Sequence, residues 1–140
     1  MIDGGLSKLF QEHLRDIHWQ RVETWSTGFG VPDLNGCGNG VEFWIECKQT
    51  DGCKINLRPE QIAWAMRRMR AGGRVYIAVR RKHAGGKRKG NAIDELWLYP
   101  GSAAQALAVN RMALVRSVGF WPGGPARWPW PIIRKTLLTP

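Results

Sequence analysis

Hydrophobic and polar residues alternate between positions 41 and 48, where the chain reads Val-Glu-Phe-Trp-Ile-Glu-Cys-Lys. A period of two in a stretch rich in β-branched and aromatic residues predicts a strand over 41–48. Side chains two positions apart share one face of a strand, so Glu46 and Lys48 are expected to lie side by side. Cys47 then points to the opposite face, where it is expected to pack in the core.

A run of Gly and Asn at 35–40 precedes this strand and predicts a tight turn, because these residues accept positive φ angles. The turn folds 31–34 back against the strand and brings Asp33 near Glu46. Two carboxylates and the Lys48 ammonium then converge, which is costly unless a cation lies between the acids. Oxygen ligands without a neighbouring His favour Mg²⁺ or Mn²⁺ over zinc.

Helical spacing of apolar residues predicts two amphipathic helices. The first covers 5–17, with Glu12 off its apolar stripe, where it is either a solvated carboxylate or a ligand. The second opens at Pro59, a residue suited to a first helical turn. Its predicted buried stripe consists of Ile62, Ala65, Met66 and Met69.

Further strands are predicted over 21–25, 74–80 and 95–99, and a short helix over 103–108. The strand at 74–80 returns directly from the second helix, which predicts a parallel crossover connection in the same sheet. The predicted fold is therefore α/β, with a central mixed β-sheet flanked by helices.

Between the last two of these strands, the stretch 80–90 is rich in cations and glycines and has no apolar anchor, which predicts a mobile loop. It is either a solvated hairpin tip or a clamp on a nucleic-acid backbone, and the overall charge favours the clamp. The candidate nucleic-acid contacts are Arg80, Arg81, Lys82, Lys87, Arg88 and Lys89.

The C-terminal stretch 119–140 is rich in Trp, Pro and Gly. We expect residues 1–118 to form the main domain and 119–140 an irregular tail that packs on it or extends it. Its tryptophans could cover the core, form a subunit contact or stack on unpaired bases. Burial against the protein's own body is favoured.

The composition favours a polyanionic partner, because 21 Lys and Arg against 11 acidic residues give a net charge of +10. The three cysteines show no Cys-x-x-Cys spacing, which argues against a disulfide framework and a structural zinc site. No apolar run is long enough for a membrane span, and no signal peptide is evident at the start, so we expect a soluble, intracellular protein.

A Pro-Asp at 32–33 followed by Glu-Cys-Lys at 46–48 resembles the PD-(D/E)xK nuclease superfamily. The fuller string, Gly-x-Pro-Asp-Leu, Glu-Cys-Lys and then Gln61 on the next helix, resembles its VRR-NUC and archaeal Holliday-junction-resolvase branches. The similarity covers roughly residues 6–80. It implies a restriction-endonuclease-like core with the order α-β-β-β-α-β.

The resemblance also implies roles for residues. Asp33 and Glu46 would be metal ligands together with the main-chain carbonyl of Cys47, and Lys48 would position the attacking water or stabilise phosphate charge. A further pair of residues matches positions of the family's site: the helix residue Gln61 and the first-helix acid Glu12.

The implied function is Mg²⁺- or Mn²⁺-dependent hydrolysis of DNA phosphodiesters by a homodimer, with branched or Holliday-junction DNA as the implied substrate. One alternative is a non-specific or nicking nuclease that acts on DNA or RNA. Another is a nucleic-acid-binding module without catalysis, in which Glu46 and Lys48 form an exposed ion pair and Asp33 is a turn residue. A third is a protein-interaction domain that uses the Trp/Pro-rich tail.

Overall fold

The computed structural model describes residues 3–22, 30–88 and 90–140. Within these ranges, six strands form one mixed sheet whose spatial order follows the chain order. The strands are β1 (His18–Arg21), β2 (Leu34–Gly38), β3 (Val41–Thr50), β4 (Val75–His83), β5 (Ile93–Pro100) and β6 (Gly119–Trp121). The helices are α1 (Leu6–His13), α2 (Pro59–Arg70), α3 (Ala104–Val109) and α4 (Trp130–Leu138). The predicted α/β class with a mixed sheet is confirmed.

The sheet is antiparallel except where β3 and β4 run parallel. The helix α2 connects these two strands, as the apolar strand after the second helix predicted. A parallel pair requires such a crossover, because a tight hairpin can join only antiparallel strands. This arrangement places the start of α2 beside the middle of β3.

Apolar side chains cover both faces of the sheet and form two cores. On one face, Phe43, Ile45 and Cys47 of β3 pack with buried residues of α1 and α4. On the other face, Ile77 and Val79 of β4 pack beneath α3 and the 51–58 segment. Since β3 side chains alternate, Glu46 and Lys48 face the α2 side rather than the α1 side.

Several predicted element boundaries are wrong. The turn between β2 and β3 is confined to Asn39 and Gly40, whereas 35–38 continues as a strand paired with β3. The structure describes a strand over His18–Arg21, which begins three residues before the predicted strand 21–25, and residues 23–25 of that prediction lie outside the described residues. Residues 80–83 belong to β4 rather than to a loop, because they pair with β5.

The C-terminal stretch is regular where an irregular tail was predicted. Its strand β6 pairs with β5, and α4 inserts Ile133 and Leu137 into the core shared with α1. The proline that suggested irregular structure, Pro131, lies in the first turn of α4, where a missing N–H costs nothing. Trp128 is buried, as the favoured interpretation of the tail expected. The domain boundary at 118 stays a prediction.

None of the helices in the described ranges is both long and apolar enough to cross a membrane.

Candidate metal-dependent nuclease site

The β2–β3 hairpin brings Asp33 and Glu46 together. Leu34 pairs with Ile45, so Asp33, one residue earlier, lies opposite Glu46. The position of Asp33 is fixed by a hydrogen bond that its Oδ2 accepts from the backbone N–H of Cys47, at 2.8 Å. The sequence-based expectation that these two carboxylates meet is met by the structure.

Lys48 and Gln61 complete a hydrogen-bonded group around Glu46. Lys48 Nζ lies 3.7 Å from Glu46 Oε1 and donates a hydrogen bond to Gln61 Oε1 at 3.1 Å. Gln61 Nε2 in turn donates to Glu46 Oε1 at 2.9 Å. Because the Glu46 side chain is only 8% exposed and that of Lys48 20%, this is not the exposed ion pair of the non-catalytic interpretation.

Both the oxygen and the nitrogen of the Gln61 side-chain amide form hydrogen bonds. Its Oε1 also accepts from the backbone N–H of Arg58 at 3.0 Å, which caps the start of α2. The residue is buried, whereas the helical pattern placed it off the apolar face. Of the predicted buried stripe, Ala65 is buried and Ile62, Met66 and Met69 are half-buried, while Gln61 faces Glu46 on β3.

The electrostatics of the two acids favour a cation. Burial, followed by the charge of Asp33, raises the pKa of Glu46 from 4.5 to about 8. Burial also raises the pKa of Asp33, although the Cys47 N–H and the Lys48 ammonium act against it. Glu46 Oε2 is buried and has no hydrogen-bond partner among the described residues. An oxygen in that state is suited to a positive ligand.

A pocket of about 410 Å³ contains these groups. Its lining consists of Asp33, Glu46, Cys47, Lys48, Gln49, Asn56, Arg58 and Gln61. Three of these, Gln49, Asn56 and Arg58, were not among the site residues predicted from the sequence. For Arg58, the sequence offered one signal of its place in the pocket: it stands immediately before Pro59, at the predicted start of the second helix.

The donor set fits a hard cation. Two carboxylates and a main-chain carbonyl leave several positions for water, as Mg²⁺ prefers. No three His, Cys, Asp or Glu side chains cluster as a metal site anywhere in the described ranges. A metal here would therefore rely on Asp33, Glu46 and backbone or solvent oxygens.

Glu12 is not brought to this pocket. It lies on the outer side of α1, 49% exposed, and pairs with Lys8 at 3.7 Å. Of the N-terminal segment, Asp3 acts on the site through its charge: burial is the main cause that raises the pKa of Asp33, and the Asp3 carboxylate raises it further. Ser7 lies beside the Cys47 thiol, on the face of β3 opposite the pocket.

The basic stretch forms the end of the β4–β5 hairpin. Arg80 makes two hydrogen bonds to Asp94, at 2.9 and 2.7 Å, and Arg81 pairs with Glu95 at 3.2 Å. The exposed cations at this end are Lys82, Lys87 and Arg88. Lys89 lies outside the described residues.

Comparison with known proteins assigns the chain to a family. The profile of the archaeal Holliday junction resolvase (Hjc) family matches residues 14–95, more than half of the chain. This chain belongs to the Hjc family. The match includes Asp33, Glu46, Lys48 and Gln61, and it begins after Glu12.

Hjc proteins are structure-specific, metal-dependent endonucleases, so the predicted resemblance and the predicted class of function are confirmed. A solved structure of Hjc from Archaeoglobus fulgidus, a Holliday junction resolvase from an archaeal hyperthermophile, is similar to this Hjc chain. The two are 16% identical, the similarity covers 69% of this chain and 74% of the other, and the TM-score is 0.46. A search of curated proteins returned no significant match.

Proposed function

We propose that this Hjc-family protein uses Mg²⁺ or Mn²⁺ to hydrolyse phosphodiesters of branched DNA in the pocket of Asp33 and Glu46. The observation that carries the proposal is the pairing of a buried carboxylate, Glu46, and a half-buried one, Asp33, with the Lys48 ammonium in one open pocket. Two neighbouring carboxylates repel each other when both are ionised, and a bound cation removes that cost.

Asp33, Glu46 and the main-chain carbonyl of Cys47 would hold the metal. A bound metal supplies Lewis-acid polarisation of the phosphate and lowers the pKa of a water molecule. Asp33 is preset for this task, because the Cys47 N–H occupies its Oδ2 and fixes the carboxylate plane. On the second carboxylate, Glu46 Oε2 would bind the metal, because it has no hydrogen-bond partner among the described residues.

Lys48 and Gln61 act on charge and orientation. Lys48 is held near Glu46 by its hydrogen bond to Gln61, so its ammonium is placed in advance to stabilise negative charge that develops on phosphate. Gln61 orients both Glu46 and Lys48 through opposite ends of one amide. Support of this kind typically changes metal affinity or activity by about 10- to 100-fold.

The exposed end of the β4–β5 hairpin would bind the DNA backbone. Among the described residues of this end, the unpaired cations are Lys82, Lys87 and Arg88, because Arg80 and Arg81 already pair with carboxylates. The family supports branched DNA as the substrate and metal as the cofactor. Resolution of a junction requires two symmetric cuts, so we propose a homodimer with one site in each subunit.

The proposal is tested by incubating the protein with labelled junction, flap, duplex and single-stranded DNA, in Mg²⁺, Mn²⁺ or EDTA. We expect cleavage of the junction with either metal, none in EDTA, and none by Asp33→Asn, which should still bind DNA as well or better. Cleavage of all four substrates alike would favour a non-specific nuclease. Binding that persists in EDTA, with no cleavage under either metal, would favour a binding module.

A further inference from the structure

A stacked arginine lies on the same side of the sheet as the pocket. The guanidinium carbon of Arg68 is 4.7 Å from the ring centroid of Trp64 and 5.3 Å from that of Trp44. The two indole rings contact each other edge to face, with centroids 5.2 Å apart. Both rings are half-buried and Arg68 is exposed, so two fixed aromatic surfaces hold one exposed cation.

The hydrogen-bonding edge of Arg68 is free. Across the described residues, its guanidinium neither donates a hydrogen bond nor forms an ion pair, although stacking restricts its position. A cavity of about 220 Å³ adjoins it, lined by Trp64, Arg67, Arg68 and Ala71.

The nearby glycine also fits this arrangement. A Cβ on Gly73 would lie 2.5 Å from the Cδ of Arg68, so the absence of a side chain there leaves room for the stacked arginine.

The location of this arginine relates it to the candidate nuclease site. Trp44 precedes Glu46 by two residues on β3, so both side chains leave the same face, about 7 Å apart along the strand. On α2, Arg68 follows Gln61 by seven residues, so it lies two turns along the same side of the helix. The rise of 1.5 Å per residue places it about 10 Å from Gln61 along the axis.

We propose that Arg68, held against Trp44 and Trp64, binds a backbone phosphate of the DNA strand that enters the pocket. This inference rests on the proposed function and adds a second point of contact to it. A planar guanidinium with free N–H groups matches two phosphate oxygens, and its stacking lowers the entropy lost on binding. Because this arginine lies about 10 Å from Gln61 along α2, the contact falls on the same DNA strand, within a few nucleotides of the cleaved bond.

The first test compares three variants by anisotropy of a labelled junction in EDTA, over a range of salt. Arg68→Gln should reduce the slope of log affinity against log salt by about 0.9, the value for one phosphate contact. Arg68→Lys keeps the positive charge but lacks the planar N–H groups of the guanidinium. It should bind the junction more weakly while it retains most of the salt slope. Arg70→Gln is the matched control: it removes the same charge from another side of α2 and should leave the slope unchanged.

The second test locates the contact on the DNA. Single neutral methylphosphonates are placed at successive positions on both sides of the cut. The wild-type protein should lose affinity when the substitution falls at one position within a few nucleotides of the cut, on one side only, and Arg68→Gln should be insensitive at that position alone.

Two negative outcomes are distinguishable. If wild-type protein cuts no DNA with Mg²⁺ or Mn²⁺, the proposed function itself is overturned. If it cuts normally, while Arg68→Gln melts like wild type and shares its salt slope and methylphosphonate profile, only the phosphate site is overturned. An equal loss of slope in Arg70→Gln would also overturn it, because the effect would then be one of general charge.

Discussion

The side-chain amide of Gln61 donates a hydrogen bond to the Glu46 carboxylate over 2.9 Å, and so joins the first turn of α2 to the middle of β3. The same amide accepts from Lys48 and from the backbone N–H of Arg58. One neutral residue therefore connects a proposed metal ligand, a proposed charge stabiliser and a helix cap. Its removal is expected to alter stability and catalysis together.

Gln61→Ala should lower the free energy of unfolding by about 1–3 kcal/mol, because the buried Glu46 carboxylate and the backbone N–H of Arg58 lose their partner. The cleavage rate should fall ~10- to 100-fold as Glu46 and Lys48 lose their common support. Thermal melting and single-turnover cleavage of the same preparation measure both effects. Unchanged values in both measurements would show that the amide has no role in the site.

Glu46→Gln should change how stability depends on pH in metal-free protein. The native pKa of Glu46, about 8, lies above its ordinary value of 4.5, so the native state holds this proton more tightly than the unfolded state. Wild type therefore loses stability as pH rises from about 4.5 to 8, and Gln, which does not titrate, avoids that loss. The melting temperature of the variant should exceed that of wild type increasingly over this range, in EDTA.

The effect of Mg²⁺ on the melting temperature also separates wild type from Glu46→Gln. Mg²⁺ should raise the melting temperature of wild type at pH 8, because it binds the native acids, and should have much less effect on Glu46→Gln. Parallel pH curves for the two proteins, with an equal response to Mg²⁺, would show that Glu46 carries no buried charge of this kind.

Lys48→Met keeps the aliphatic part of the side chain and removes the ammonium. Its cleavage rate should fall by orders of magnitude, because negative charge that develops on phosphate loses its partner. DNA affinity and the melting temperature should change little. If the variant instead fails to fold, or retains near wild-type cleavage, Lys48 has a structural role only.

Neutralisation of Lys82, Lys87 and Arg88 with Gln should weaken DNA binding at low salt. The slope of log affinity against log salt should fall by about 0.9 for each duplex phosphate that the hairpin no longer neutralises. The control is a matched triple variant that removes three exposed cations from the sheet face covered by α1 and α4. These are Lys8 on α1, Arg15 between α1 and β1, and Lys135 on α4. Equal slopes in the two triple variants would show that the hairpin end is merely solvated.

Arg80 offers a contrast within the same basic stretch. It pairs with Asp94, donates to the Gly4 carbonyl at 2.7 Å and lies over the Trp128 ring. Arg80→Ala should therefore lower the free energy of unfolding by about 3 kcal/mol, as loss of one partner from a largely buried ion pair does. Its DNA salt slope, measured below the melting temperature, should match that of wild type.

The sequence was sufficient for features set by short-range periodicity. Alternation through 41–48 determines which β3 residues face α2, and the Gly- and Asn-rich run at 35–40 was enough to expect Asp33 near Glu46. The pattern did not show that the turn itself is confined to Asn39 and Gly40. The burial of Gln61 could not be predicted, because its contacts with Glu46 and Lys48 depend on how α2 packs against β3 and not on the apolar pattern along the helix.

The remaining differences between prediction and structure have a common cause in contacts distant along the chain. Arg80 looked like part of a charged loop until β5 supplied Asp94 as its partner. Pro131 looked like a helix breaker, although a proline is tolerated in a first turn once the following apolar residues find a core. Glu12 follows the general helix pattern and faces solvent, whereas Asp3 approaches the site from before the helix.

The helix α4 has a consequence for when the protein becomes active during synthesis. Its Arg134 donates a hydrogen bond to Asp16, in the turn between α1 and β1, and the two residues are 118 positions apart in the chain. The site residues between 33 and 61 leave the ribosome long before residues 130–138, which cover the back of β3. Because a domain folds as a unit, the nascent chain carries these acids on an unfinished sheet. The nuclease site is thus completed late, after most of the chain has been made.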